Sequence, residues 1–323
     1  MFRYEGLPHL VGGNIGVGLL QLLPRVRPYT WVVLEISHTQ LQLTCQSPHV
    51  AAVLNITPNH LDRFTWEQYR GLKANIVRYQ GPGDWAVLGY DCAESRALAD
   101  RVASRVLFFS LADAEGEGVF ARDGQAVWRC GGRQRRLFPL SAVRLRGQHN
   151  LQNALAAAAV ACACGLSSES IARAVATFRG VEHRLEHVAT LGGVEFYNDS
   201  IATTPERTLA GMRCFDQPLV LLLGGRDKHL PLEELAEEAC RRCRGVVFFG
   251  ESAPKLWEAV EAAAATLLPQ ARPALASARD LEEAVAAAWR LARPGDVVLL
   301  SPACTSFDAY ENFEERGRHF RAL

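Results

Sequence analysis

Lysine is almost absent from this chain, and where it survives is the first clue to chemistry. Of 35 lysine and arginine residues only Lys73, Lys228 and Lys255 are lysine, leaving 32 arginines. Arginine serves wherever a surface charge is enough. A retained lysine points to an amine that can lose its proton and react, or to a compact point charge. Lys73 lies ten residues beyond the stretch Asn55-Ile56-Thr57-Pro58-Asn59-His60-Leu61-Asp62-Arg63. The apolar run Val50–Ile56 reads as a buried strand. Thr57 suits a helix N-cap and Pro58 the first helical position. His60 and Asp62 then fall at the carboxyl end of a strand, where open α/β sheets bind ligands. Glu35 interrupts a second strand expected to be buried, Trp31–Ser37, where a carboxylate is costly unless paired or bound to a cation. Two plainer readings stay open: His60 and Asp62 as caps of a helix start, and Glu35 as half of a buried ion pair.

The elements that must hold these groups follow from the pattern around them. A length of 323 residues allows about two domains. Lys+Arg and Asp+Glu are both 35, so no basic face marks a nucleic-acid partner and no acidic tail marks disorder. No apolar run reaches the ~18 residues of a membrane span, and the N-terminus lacks a signal-peptide pattern. A cytoplasmic monomer is the expectation. Nine cysteines include one CxxC, Cys240 and Cys243, with no second pair at zinc-site spacing, so they are expected to be reduced and mostly buried.

Met1–Leu10 reads as the tail of something rather than a beginning, followed by a glycine-rich loop, Val11–Gly18. Strands are expected at 84–88 and 105–109, a helix at 66–79, and β-hairpins between 118 and 140, broken by Asp123-Gly124 and Gly131-Gly132. A long alanine-rich helix, 151–164, carries Asn153, with Asn150 at its start. A second, 168–178, closes with Gly180 as a C-capping glycine. Glu182-His183-Arg184 reads as a linker, which sets the domains at 1–186 and 187–323. Beyond it, strands at 194–197, 219–223, 246–249 and 297–300 alternate with helices near 205–212, 232–243, 254–265, 281–291 and 308–321. That alternation predicts an α/β, doubly wound, largely parallel sheet. Polar clusters follow its strands: Asn198-Asp199-Ser200, Gly224-Gly225-Arg226-Asp227-Lys228, and Ser301 to Ser306. They would crowd one edge of the sheet, where a ligand with carboxylates or phosphates could sit.

Together these segments, with Gly13-Asn14-Ile15-Gly16, Glu35-Ile36-Ser37, Gly147-Gln148-His149-Asn150 and His183-Arg184, resemble the Mur ligases, in order from residue 11 to the end. These are ATP-dependent amide-bond ligases of peptidoglycan synthesis. The nearest branch adds glutamate to UDP-N-acetylmuramoyl-L-alanine. The resemblance implies a central ATP-binding domain, mainly parallel with added hairpins, and a Rossmann-like C-terminal domain for glutamate. It implies that ATP converts a carboxylate to an acyl phosphate, which the amino acid's amine attacks through a tetrahedral intermediate. It places Mg²⁺ on Glu35, His60 and Lys73, the last carbamylated, a modification arginine could not accept. It sets Asn14, Asn150 and Asn153 near the nucleotide, and Arg184 and Asp199 among the ATP contacts. Thr203, Lys228, Ser306 and Phe313 would form the glutamate pocket.

Two departures accompany the resemblance. Family members carry a UDP-binding N-terminal domain and a G-x-x-G-K-[ST] phosphate loop, and neither occurs in these 323 residues. The expectation is a central domain lacking its first part, which by itself binds ATP poorly and has little ligase activity. Second, Ile201 stands where the family's Asn-Asp-Ser-Lys segment has lysine, which opens L-glutamate as an alternative to D-glutamate. Two other readings are a folylpolyglutamate-type ligase and a non-catalytic binding subunit of the same architecture. The Ser301-Pro302-Ala303-Cys304 ending speaks against the first. The retained Glu35, His60, Lys73 and Lys228 speak against the second.

Overall fold

The computed structural model describes residues 1–14, 17–58 and 63–323. His60 and Asp62 therefore lie outside the described residues. The chain divides into two compact units, Met1–Phe178 and Arg179–Leu323, so residues 179–186 go with the second.

The first unit opens with a short helix, Phe2–Glu5. Glu5 Oε2 accepts from the backbone N–H and hydroxyl of Ser167 (3.0 and 2.8 Å), which ties the N-terminus down. The residues read as a tail and a glycine loop continue into a strand, β1 (His9–Gly13), parallel to β2 (Trp31–Glu35). A separate six-stranded sheet runs in sequence order: β3 (Val50–Val53), β4 (Trp85–Gly89), β5 (Arg105–Ser110), β6 (Gly118–Arg122), β7 (Gln125–Cys130) and β8 (Arg133–Pro139). The first three pairings are parallel and the last two antiparallel. The hairpins turn where expected. Asp123 and Gly124 have φ of 49° and 72°, Gly131 and Gly132 58° and 72°. Positive φ at both loop residues matches the right-handed strand twist.

The alanines of the helix Gln148–Ala163 let it lie close on one face of that sheet, with Val87, Leu107, Phe109 and Val119 beneath it. The helix Trp66–Arg78 covers the other face, with Tyr69 and Val77 against Ala51, Val53 and Leu88.

Three local expectations change here. The strand at residue 50 does not turn straight into a helix. Residues 54–58 are irregular, the residues Thr57 would cap lie outside the described residues, and the helix Trp66–Arg78 is capped by Thr65. Thr65 and Gln68 satisfy each other's backbone N–H groups (2.9 and 3.2 Å), a reciprocal capping box. The helix Ser168–Thr177 ends at Phe178 in extended backbone, so Gly180 does not cap it. And β2 is not buried, because Val33 and Glu35 are exposed, so Glu35 carries no large desolvation cost.

The second unit is one sheet of strand order β13-β12-β11-β14-β10-β9. Its strands are β9 (Glu186–Leu191), β10 (Val194–Asn198), β11 (Leu219–Gly224), β12 (Cys243–Phe249), β13 (Ala274–Ser277) and β14 (Val297–Ala303). All pairings are parallel except β9 with β10. Alternation along β11 is the reason for two layers. Leu219, Leu221 and Leu223 face the helices Pro205–Met212, Glu233–Arg242 and Ala253–Ala265. Val220 and Leu222 face Leu281–Leu291 and the last helix, Phe313–Ala322. The doubly wound expectation is the observed architecture. The strands β9 and β13, both at sheet edges, were not anticipated.

Candidate functional site

In the first unit the neighbours of Lys73 decide what it can do. It sits inside the helix Trp66–Arg78, half-buried, with its Nζ 5.8 Å from the centre of the Tyr69 ring. Burial lowers its pKa, which Glu35 opposes from nearby. A lowered pKa leaves more neutral amine, the form that reacts as a nucleophile. Glu35 ends β2, and Asn14 holds it by an amide N–H···Oε1 bond of 3.1 Å. Gly13 allows that approach: its φ is 108°, and a Cβ there would lie 2.2 Å from the Glu35 carbonyl oxygen. His38, passed over in the sequence, brings an imidazole to the same aromatic surface, its ring centre 5.6 Å from that of Tyr69. Its signal was faint, a single histidine after Ser37.

Asn150 and Asn153 lie on the first turns of the helix Gln148–Ala163. Asn150 is not the cap. Gly147 precedes the helix, and Asn150 donates back to the Arg146 carbonyl at 2.8 Å.

In the second unit the three polar clusters do meet, at the carboxyl ends of β10, β11 and β14. Asp199 is only 4% exposed. One carboxyl oxygen accepts from Ser301 Oγ (2.8 Å) and the other from the Leu185 N–H (3.2 Å). Burial pushes its pKa up to about 7, against the pull of those hydrogen bonds and of Arg184 and Arg207. Lys228 Nζ donates to Thr203 Oγ1 at 3.3 Å, which joins two of the expected amino-acid contacts. Ser306 is buried, and Phe313 lies against His183, ring centres 6.3 Å apart. His183 is buried rather than part of an open linker, and Asn198 Nδ2 contacts its Nδ1 at 3.0 Å.

Sequence reading missed the braces of this site. Lys255 pairs with Asp227 at 2.5 Å and so fixes the residue before Lys228; as the third retained lysine it could have been found. Arg316, fully buried, could not be picked out among 32 arginines. The cysteines are all free, as expected, but only Cys240, Cys243 and Cys304 are buried. Among the described residues no three His, Cys, Asp or Glu side chains converge as metal ligands.

Comparison with known proteins agrees with both halves. Residues 13–161 match the family profile of the Mur ligase middle domain, and residues 183–304 that of the Mur ligase glutamate ligase domain. A UDP-N-acetylmuramoylalanine–D-glutamate ligase of Symbiobacterium thermophilum is 44% identical over 326 residues, covering 100% of this chain and 70% of that protein. Its counterpart in Acetivibrio thermocellus is 38% identical, covering 100% and 69%. In structure, MurF from Acinetobacter baumannii superposes with a TM-score of 0.66 at 18% identity, over 99% of this chain and 78% of that one. That last likeness is one of fold.

Proposed function

This chain belongs to the Mur ligase family, and from that premise we propose that it carries the ATP-handling and glutamate-binding parts of a UDP-N-acetylmuramoyl-L-alanine:glutamate ligase. The reaction consumes ATP. Its γ-phosphoryl group passes to the substrate carboxylate, ADP leaves, the glutamate amine attacks the acyl carbon, and phosphate departs as the amide forms. These substrates place the work in the cytoplasm. No helix among the described residues could cross a membrane, and the formal charge of +0 offers nucleic acid nothing. We take the protein to act as a monomer.

The observation that carries this reading is Lys73, a half-buried amine of lowered pKa beside Glu35. A neutral amine can add CO₂ to give a carbamate, an oxygen donor like a carboxylate. Glu35, held by Asn14, would add a second oxygen donor of the kind that suits Mg²⁺, and His60, outside the described residues, is assigned to the same ion by the family resemblance alone. Bound there, Mg²⁺ supplies charge neutralisation at the transferred phosphoryl group. Asn14, Asn150, Asn153, Arg184 and Asp199 are assigned to the nucleotide. Asp199 acts from inside, because both its oxygens are already engaged. The Lys228 ammonium, 3.3 Å from Thr203, pairs with a glutamate carboxylate, with Ser306 and Phe313 framing the pocket.

The test is a graft. This chain replaces the matched 70% of the Symbiobacterium thermophilum ligase, and product is followed with D- and with L-glutamate. We expect ADP, phosphate and the D-glutamyl product. A folded graft that releases no phosphate, while the parent enzyme does, would overturn the reading. Preference for L-glutamate would trace to Ile201.

A further inference from the structure

Arg316 is a charged side chain with 0% exposure; among the described residues no carboxylate hydrogen-bonds it, though Asp308 lies near enough to favour its charge. Burying an unpaired cation is costly unless every donor is used. Here all of its donor nitrogens are engaged. Nε donates to Ser200 Oγ (3.0 Å). Nη1 donates to the carbonyls of Gly224 (3.3 Å) and Thr305 (3.2 Å). Nη2 donates to those of Ser200 (2.9 Å) and Cys304 (3.2 Å). These oxygens come from three segments far apart in sequence, and each ends or follows a neighbouring parallel strand. None belongs to a helix. Arg316 itself comes from the last helix, whose next residue, Gly317, lies against His183.

We propose that Arg316 is a positioning residue: its one guanidinium ties the loops after β10, β11 and β14 into a unit that opens and closes together, fixing Thr203 and Lys228 relative to each other. Its planar fork explains the residue type, since five N–H donors in one plane can serve several carbonyls at once and a lysine cannot. The other links join the loops two at a time. Arg226 and Thr305 exchange two backbone bonds (2.9 and 3.0 Å), and the Ala303 N–H reaches the Ala202 carbonyl at 3.0 Å. Thr305 Oγ1 donates to the Arg226 carbonyl, Ser301 to Asp199 and Lys228 to Thr203, whereas Arg316 reaches all three loops. Gly225 lets the second and third loops touch; a Cβ there would sit 2.0 Å from the Thr305 carbonyl oxygen. For the amino-acid groups the inference rests on the glutamate-ligase reading, whereas the coupling of the loops does not.

Hydrogen exchange on the whole chain separates the two. In Arg316→Met, amides of residues 199–203, 226–228 and 303–306 should exchange faster together, by about tenfold or more, while strands β11 and β12 keep their protection. Arg316→Lys should not restore it. Ser200→Ala is the milder variant should the first fail to fold. It should loosen Arg226 and Thr305, to which no Ser200 hydrogen bond runs. Faster exchange confined to residues 313–320, or spread evenly over the unit, would overturn the proposal. In the grafted ligase, Arg316→Lys should raise KM for glutamate severalfold and KM for ATP by less, since of the nucleotide residues only Asp199 lies in the tied loops; equal rises in both would also overturn it. A graft inactive before any substitution counts against the ligase reading alone, and the exchange result stands.

Discussion

The two candidate centres are built in opposite ways. In the first unit Glu35 is exposed on a two-stranded sheet, Lys73 is half-buried, and Asn14 holds Glu35's side chain by a hydrogen bond. In the second unit Asp199, Ser301, Ser200 and Arg316 are all buried and hydrogen-bonded to one another or to neighbouring backbone groups. The first centre therefore contributes little to holding the fold, and its groups are free to do chemistry. The second is part of the fold, so its geometry is set before a ligand arrives. Substitutions in the first should change rate with stability intact, and those in the second should change both.

The sharpest break is Lys73→Arg in the grafted ligase. Loss of a ligand at the phosphoryl-transfer centre should lower kcat about 10³-fold or more, with partial recovery on adding a short carboxylic acid. The melting midpoint should stay within about 2 °C, as for a substitution away from the core. Full activity without added acid would erase the distinction between the centres.

Asp199 should show the opposite behaviour. Its folded pKa of about 7 lies above the ordinary 3.8, so between those values the native state binds more protons than the unfolded one. Stability then falls as pH rises through that window and levels off above it, by on the order of 2–4 kcal/mol. Asp199→Asn should flatten this slope in denaturant titrations from pH 4 to 8. An unchanged slope would remove Asp199 as its source.

Gly317→Ala tests packing at the same centre. Alanine favours a helix by about 1 kcal/mol, but its Cβ would lie 2.1 Å from His183 Nδ1. His183 is buried, so overpacking should win, for a net loss of about 1–2 kcal/mol in calorimetry. The smallest effect is expected from Lys255→Met. An exposed pair such as Lys255–Asp227 contributes at most about 1 kcal/mol. The readout is therefore a severalfold rise in KM for glutamate, as the loop carrying Lys228 loosens, with little change in melting.

Much of this was legible in the sequence where local rules act alone. The helices at 205–212 and 281–291 fall where Pro205 and Asp280 start them, and the paired positive-φ turns follow from Asp-Gly and Gly-Gly. What was illegible depended on partners distant in the chain. Strand β13 is four residues, Ala-Leu-Ala-Ser, with too little pattern to distinguish it from a loop. Strand β9 is held by β10 at a sheet edge. Thr57 and Thr65 look alike as caps until Gln68 is seen to reach back. Among the site residues, Lys73 and Lys228 stood out by rarity. Arg316 is defined only by the carbonyls that three strands bring to it.

The account depends most on the state of the Lys73 amine. Carbon-13 NMR of the chain in labelled bicarbonate should show a carbamate resonance that survives Lys228→Arg and Lys255→Arg but is lost in Lys73→Arg. The Met1 amine, present in every variant, serves as the common background. If no resonance depends on Lys73, and its amine titrates like that of an exposed lysine, the proposed centre is wrong.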